Sequence, residues 1–270
     1  MPRKITLRSV RFEKAANEDD RISYAGRSKS VRVELAALKY YASFGCRGVW
    51  SEDGYWSFIM ALLFWDIIFA RLPGVYSDQL GDFPGKFQDM PHDFFRPEFY
   101  SRRAKMIEKR ISNLLACASI SKEINDAYAK HKGKPCRPIW NWDAYSIDDI
   151  CLGVESISRE QLFLIMKRLL ADFGKNRSGL PDLFLYSPKP SLVEVKSGSD
   201  SLRESQVEWL QFLLNTVGLS VEVLLVNHTD HKIRLVQDAL AAGSCDTILS
   251  VDDDSNISSR RGRDKVEVVD

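Results

Sequence analysis

The sequence predicts an α/β fold carrying a mostly helical insertion. Three observations lead there. From Ser158 onward, helix signals alternate with short strand candidates. Val221 to Val226 is a valine- and leucine-rich run broken only by Glu222, the pattern of an interior strand. Between Leu72 and Trp142 the character changes, with most of the prolines, several phenylalanines and two basic clusters gathered there.

The elements follow in order. Ile5 to Phe12 alternates apolar and polar residues, as an edge strand does, and Glu13 to Asp20 reads as a solvated loop; residues 1–30 together form an N-terminal extension. Val31 to Phe44 puts Val33, Leu35, Leu38, Tyr41 and Phe44 at helical spacing, and Gly45 supplies a C-cap. A second helix is expected from Ser51, its N-cap, with Glu52 and Asp53 in a first turn that the helix dipole favours. Phe58 to Phe69 is apolar nearly all round, which places it at the centre of a core. Inside the insertion, 72–142, Arg103 to Ala118 reads as a helix. One basic cluster is Arg102, Arg103, Lys105, Lys109 and Arg110; the other is Lys130, Lys132, Lys134 and Arg137. Each is either a grip for phosphates or a solvated helix face. Ser158 and Gln161 form a capping box before a helix that buries Leu162, Ile165, Met166 and Leu169. Asn176 to Pro181 is a loop. Asp182 to Tyr186 and Ser191 to Lys196 are strands about Ser187 to Pro190. Ser201 and Glu204 make a second capping box for a helix from Leu202 to Val217, stopped by Gly218. A last helix covers Ile233 to Ala242. The charged tail, 251–270, has the composition of a disordered segment, and its Asp252-Asp253-Asp254 run reads as solvated.

Composition narrows the function. In 270 residues, 38 Lys and Arg almost balance 37 Asp and Glu, so any nucleic acid must be met by local basic patches. The five cysteines are widely spaced, odd in number and without a CxxC, which argues against a disulfide framework and a zinc knuckle and leaves most as small buried hydrophobes. His228 and His231 read as a surface loop. Met1-Pro2-Arg3-Lys4 opens no signal peptide, and Trp56 to Ala70, interrupted by Asp66, is too short to span a bilayer. The reducing cytosol is the default site of action.

The chemistry gathers on the two strands about Lys189. Side chains alternate along a strand, so Glu194 and Lys196 share a face about 6–7 Å apart. A hairpin centred on Lys189 sets Asp182 almost opposite Lys196. Two carboxylates this close repel unless a cation neutralises them. An oxygen-rich site with open positions suits Mg²⁺ or Mn²⁺. Lys196 beside it can hold a water and help to deprotonate it. Gly179 and Pro181 shape the backbone at the strand entrance. Gln206, on the stripe of Leu202, Trp209 and Leu213, is either a satisfied core glutamine or a group facing the site.

Pro181-Asp182 followed by Glu194-Val195-Lys196 resembles the PD-(D/E)xK nuclease signature. The flanking Arg177-Ser178-Gly179-Leu180-Pro181-Asp182-Leu183 and Leu192-Val193-Glu194-Val195-Lys196, with Asp200, Leu202, Gln206 and Trp209, are similar to the virus-type replication-repair nuclease (VRR-Nuc) family. Glu52 to Phe69, above all Leu63-Phe64-Trp65-Asp66-Ile67-Ile68-Phe69, resembles its Fanconi-associated nuclease branch. The likeness runs from Val31 to Val226, within a nuclease domain of residues 31–250.

That resemblance implies a restriction-endonuclease-like core, a mixed sheet flanked by helices, with 72–142 as the branch's helical insertion. It implies catalytic Asp182, Glu194 and Lys196, and metal ligands Glu52, Asp182, Glu194 and the Val195 carbonyl. By charge alone Glu52 is only a first-turn acid. Arg177, Arg102, Arg103 and Lys105 are candidate DNA contacts. The implied activity is monomeric, structure-selective cleavage of branched DNA (flaps, splayed arms) with Mg²⁺ or Mn²⁺, leaving a 5′-phosphate and a 3′-hydroxyl. The chain departs from the repair enzymes of the branch in having about 30 residues before its first core helix, without their large N-terminal DNA-binding regions. Short relatives resembling the branch serve as antibacterial effectors delivered by type VI secretion, paired with an immunity protein. Repair enzyme and effector are thus both expected roles. The competing class is a catalytically silent DNA- or protein-binding module on the same fold.

Overall fold

A computed structural model describes residues 4–10, 32–52, 54–73, 75, 88–198, 200–227, 230–242 and 247–249. The loop at Glu13 to Asp20, the first-turn acid Asp53, His228, Cys245 and the charged tail with its aspartate run lie outside the described residues.

The chain runs β1 (Ile5–Val10), α1 (Val33–Ala42), β2 (Arg47–Trp50), α2 (Tyr55–Leu63), α3 (Trp65–Ile68), α4 (Glu98–Ala116), α5 (Ile120–His131), α6 (Ile147–Glu155), α7 (Arg159–Ala171), α8 (Phe173–Asn176), β3 (Leu183–Ser187), β4 (Ser191–Ser197), α9 (Glu204–Gln211), β5 (Ser220–Val226), α10 (Asp230–Ala242) and β6 (Thr247–Leu249). The sheet order is β2-β3-β4-β5-β1-β6. The β2–β3 and β3–β4 pairs are antiparallel, while β4–β5, β5–β1 and β1–β6 are parallel. This is the mixed sheet that the resemblance implies. The expected edge strand at the N-terminus is corrected: β1 pairs on both sides, with β5 and β6. Its alternation comes from Thr6, Arg8 and Ser9, and Arg8 is satisfied in place by Glu222 on β5, at 2.8 Å.

Each face of the sheet has its own apolar layer. On one, Ala37 and Tyr41 of α1 meet Val10, Leu183, Leu185, Val193, Val195, Leu224 and Val226. On the other, Phe184, Tyr186, Leu192, Val221, Val223 and Leu225 join a larger core with α2, α7 and α9. Every residue of α2 is buried. That agrees with its apolar surface all round, because a helix without a polar stripe has no face to give to water. Its start is corrected, however. The helix begins at Tyr55, not Ser51, because Gly54 takes the N-cap with φ of 114°, a left-handed conformation that costs glycine little. Ser51 is instead buried, its hydroxyl donating to the Pro181 carbonyl at 2.8 Å.

Three helices or helical continuations depart from the sequence reading. Helix α4 starts at Glu98, ahead of Arg103. Helix α6 stands where the sequence reading has no helix, and its Ser146 hydroxyl accepts from the Asp149 amide. After Gln211, α9 continues as a π-helical stretch, Phe212–Val217, before Gly218 ends it in a left-handed conformation. The second capping box is also shifted: the N-cap is Arg203 and the residue reaching back is Gln206. The Ser158–Gln161 box forms as expected. Of the described cysteines only Cys136 is buried; Cys46, Cys117 and Cys151 are half-buried. His231 is exposed on α10 rather than in a loop.

The first basic cluster splits in two. Arg102, Lys105 and Lys109 are exposed on α4. Arg103 is fully buried, with Nε donating to the Ile67 carbonyl at 3.0 Å and a terminal nitrogen donating to Asp93 at 2.8 Å. Its expected role as a DNA contact is therefore corrected: it pins α4 to α3, out of reach of a phosphate. Arg103→Met keeps the apolar stem but leaves Asp93 buried beside one weaker partner, Arg102 at 3.5 Å. Breaking a buried pair costs about 3–5 kcal/mol, and the remaining partner lowers this to roughly 2 kcal/mol, to be read from denaturant midpoints. An unchanged midpoint would remove Arg103 from the fold's supports.

Candidate active site

Strands β3 and β4 pair Leu183 with Val193 and Phe184 with Leu192. Continuing that register brings Asp182 level with Glu194, two residues from the expected alignment with Lys196. Asp182, Glu194 and Lys196 still share one face, the one toward the larger core. All three are buried. Asp182 is locked by the next strand, its Oδ2 accepting the Val195 amide at 2.6 Å.

Gln206 resolves to the site. Its Oε1 accepts from Lys196 Nζ at 3.1 Å and from the Arg203 amide at 2.9 Å, while its Nε2 donates to Glu194. Lys196 Nζ also lies 2.8 Å from Glu194 Oε1. One amide thus holds the lysine, the glutamate and the start of α9 together.

Glu52 reaches the site through the turn after β2. The Ser51 amide donates to the Asp182 carbonyl at 2.6 Å and the Glu52 amide shares it at 3.3 Å. The Glu52 carboxyl is close enough to that of Asp182 to raise its affinity for a proton. It is more exposed than the others and faces Arg203 at 3.8 Å. Sequence reading passes over Arg203, Ser51 and strand β2 as parts of the site. The signal for Arg203 is its three-residue spacing to Gln206, the spacing of a helix start.

Burial dominates the electrostatics. It holds the Asp182 carboxyl well above its usual range, helped by Glu194 and Glu52 and opposed by the Val195 amide. It pushes Glu194 up to about 7, against the pull of Lys196. Burial and mutual repulsion favour the protonated form of such carboxyls unless a metal cation offsets their charge. Among the described residues no three His, Cys, Asp or Glu side chains stand as a finished metal cage. The reason lies in the contacts: Glu194 Oε1 is held by Lys196 and Gln206, and Glu52 is drawn toward Arg203. Yet Glu194 Oε2 is buried with no hydrogen-bond partner. A buried carboxylate oxygen left open beside a second carboxyl is a donor set that fits a divalent cation.

The loop before Asp182 is fixed by contact with α9. Trp209 Nε1 donates to the Asn176 carbonyl at 3.1 Å. Gly179 has φ of 91°, and a Cβ there would lie 2.7 Å from the Ser205 backbone. Gly179→Ala must therefore push the Pro181–Asp182 entrance away from α9. An ångström of displacement at a catalytic group costs about 100-fold in rate, and about that loss is expected in single-turnover cleavage. Near wild-type cleavage would show that the loop adapts. Arg177 is exposed in this loop, its guanidinium 5.4 Å from the Phe95 ring.

A mixed sheet that brings an aspartate at one strand's entrance to a Glu-x-Lys on its neighbour defines the PD-(D/E)xK, restriction-endonuclease-like class. Within it, residues 117–228 match the VRR-NUC domain. Over those residues the chain is similar to VRR-NUC domains, and over most of its length it is similar to the Fanconi-associated nucleases. The Fanconi-associated nuclease 1 homologue of Oryza sativa subsp. japonica is 36% identical over 205 residues, 72% of this chain and 20% of that protein. The homologue of Pseudomonas aeruginosa is 30% identical over 203 residues, 73% of this chain and 35% of that protein. Of solved structures, paFAN1 bound to 1nt 5′ flap DNA with gap matches with a TM-score of 0.67 and 26% identity, covering 85% of this chain and 38% of that one. The complex with 2nt 5′ flap DNA gives 0.64 and 28%, covering 76% and 36%. The chain spans about a fifth of the length of the first two curated relatives it matches. No helix among the described residues is long and apolar enough to cross a membrane.

Proposed function

We propose that this chain is a structure-selective DNA nuclease, dependent on Mg²⁺ or Mn²⁺, that hydrolyses phosphodiester bonds in flaps and splayed arms as a monomer. The observation that carries the reading is the buried Asp182, Glu194 and Lys196 set with the open Glu194 Oε2. The relatives support it: they are Fanconi-associated nucleases, and the matching solved structures hold 5′ flap DNA.

Asp182, Glu194, Glu52 and the Val195 carbonyl would hold the metal. When bound, a divalent cation polarises the phosphate and offsets charge on the leaving oxygen. Lys196, steadied by Glu194 and Gln206, holds the attacking water and helps to draw off its proton. Water attacks phosphorus in line, and the bond to the 3′ oxygen breaks, leaving a 5′-phosphate and a 3′-hydroxyl. Gln206 is a positioning residue. Arg203, 62% exposed beside Glu52, offers a guanidinium to a substrate phosphate. Arg177, Arg102 and Lys105 are exposed and supply further phosphate contacts, each adding about one unit to the salt dependence of binding.

The test is cleavage of 5′-flap, splayed-arm, four-way-junction and linear duplex DNA by the pure protein. Cutting of the branched substrates is expected in Mg²⁺ or Mn²⁺, with none in EDTA or by Asp182→Asn. Branched substrates left whole by the wild type in both metals would refute the reading.

A further inference from the structure

We propose that Trp140 is a stacking platform for an unpaired DNA base at the mouth of this site. The inference rests on the nuclease reading above and adds to it the means of gripping single-stranded DNA.

Trp140 lies in the segment between α5 and α6, and at 68% it is the most exposed of the large apolar side chains among the described residues. A single exposed apolar side chain is ordinary on a protein surface. Its location sets this one apart. Indole Cδ1 and Nε1 lie 3.7 Å from where a Cβ on Gly54 would sit. Gly54 is two residues beyond Glu52, in the turn whose amides hold the Asp182 carbonyl. An indole here stands against the turn that carries Glu52.

The segment that presents it is firmly tied. Trp142 Nε1 donates to the Lys134 carbonyl at 3.0 Å, and the Tyr128 hydroxyl donates to the Trp142 carbonyl at 3.3 Å. The Arg137 amide donates to the Asp89 carbonyl at 2.8 Å, and Ile139 next to Trp140 is buried. A flat side chain on a fixed backbone loses little entropy when a base stacks on it.

The charge around it suits a DNA strand. Lys130, Lys132, Lys134 and Arg137, the second basic cluster, are exposed on the end of α5 and the same segment. Lys132 pairs with Asp143 at 2.9 Å and Arg137 with Asp89 at 2.9 Å, so both cations are held on the surface rather than withdrawn into the core. Aromatic faces for bases beside cations for phosphates are how proteins hold single strands without reading sequence.

The test measures binding of the full chain to 5′-flap DNA in EDTA, where cleavage is blocked, by fluorescence anisotropy. Flap and junction nucleotides are replaced one at a time by abasic sites. Stacking on one base is worth about 1–3 kcal/mol, so Trp140→Ala should weaken binding about 5- to 150-fold, and Trp140→Phe should recover most of it. One abasic position should weaken the wild type by a similar factor and leave Trp140→Ala unmoved. Equal affinity of wild type and Trp140→Ala, or a loss that couples to no nucleotide position, overturns the proposal. Wild-type cleavage in Mg²⁺ or Mn²⁺ is scored separately. If it is present while the coupling is absent, stacking alone fails; a wild type that neither binds nor cuts overturns both readings.

Discussion

Lys196→Met is expected to abolish cleavage of flap DNA while the protein stays folded. Lys196 is buried, with Nζ 2.8 Å from Glu194 Oε1 and 3.1 Å from Gln206 Oε1. Among the described residues, those two contacts are the structural load its ammonium carries. Methionine fills much the same volume but can neither hold an attacking water nor help to draw off its proton. A positioned group that assists proton transfer contributes about 100- to 10,000-fold, and a single-turnover loss of about 1,000-fold is expected. Without the ammonium, Glu194 has lost the group that most lowers its affinity for a proton, and it remains neutral in the core. That relieves the buried charge and keeps the fold intact. The readouts are cleavage of a 5′ flap in Mn²⁺ and a thermal melt at pH 6. A folded Lys196→Met protein that cuts within tenfold of the wild type would remove Lys196 from the chemistry.

The strand pair bearing this lysine is legible in the sequence because its signals are local. Alternation, a Pro-rich turn and a Glu-x-Lys set it out within fifteen residues. The register is not legible. The sequence expectation centres the hairpin on Lys189, whereas Leu185 pairs with Ser191 and the turn is centred one residue earlier. Turn geometry sets that offset, and side-chain pattern is blind to a shift of two because it leaves the same residues on the same face. Strand β2 escapes for another reason. Four residues, Arg47 to Trp50, hold too little alternation to count, and the strand exists because β3 offers it an edge. The role of Arg103 is invisible for the same kind of cause. A cation on a helix rich in Arg and Lys reads as surface until Asp93 and the Ile67 carbonyl are brought to it from elsewhere in the chain. Glu52 is reached only through family resemblance. Its placement depends on backbone bonds to Asp182, 130 residues away, and no spacing rule encodes them.

Glu194→Gln is expected to make the metal-free protein more stable at pH 8 while removing its activity. The Glu194 carboxyl is raised by burial to about 7 in the folded chain from an ordinary 4.5. A folded value above the unfolded one means that the group's stabilising share is complete below about 4.5 and is lost as pH climbs through about 7. The lost share is about 3 kcal/mol by pH 8, at about 1.4 kcal/mol for each pH unit that separates the folded and unfolded values. Asp182, raised by the same burial and by Glu194 itself, adds a further loss at higher pH. Glutamine has the shape of the protonated acid, keeps an oxygen for Lys196 and never ionises. In EDTA the two proteins should therefore melt alike at pH 5, and the variant should be ahead at pH 8. On the proposed reading, Mg²⁺ or Mn²⁺ should reverse the order by binding the ionised carboxylates of the wild type, an effect expected to grow with pH and with metal concentration. The measurement is a pair of melting curves at pH 5 and pH 8, each with EDTA and with metal. A wild type that melts as high as the variant at pH 8 in EDTA would mean that Glu194 is not a strained acid waiting for a cation. If metal raised both proteins equally, the cation would be binding elsewhere.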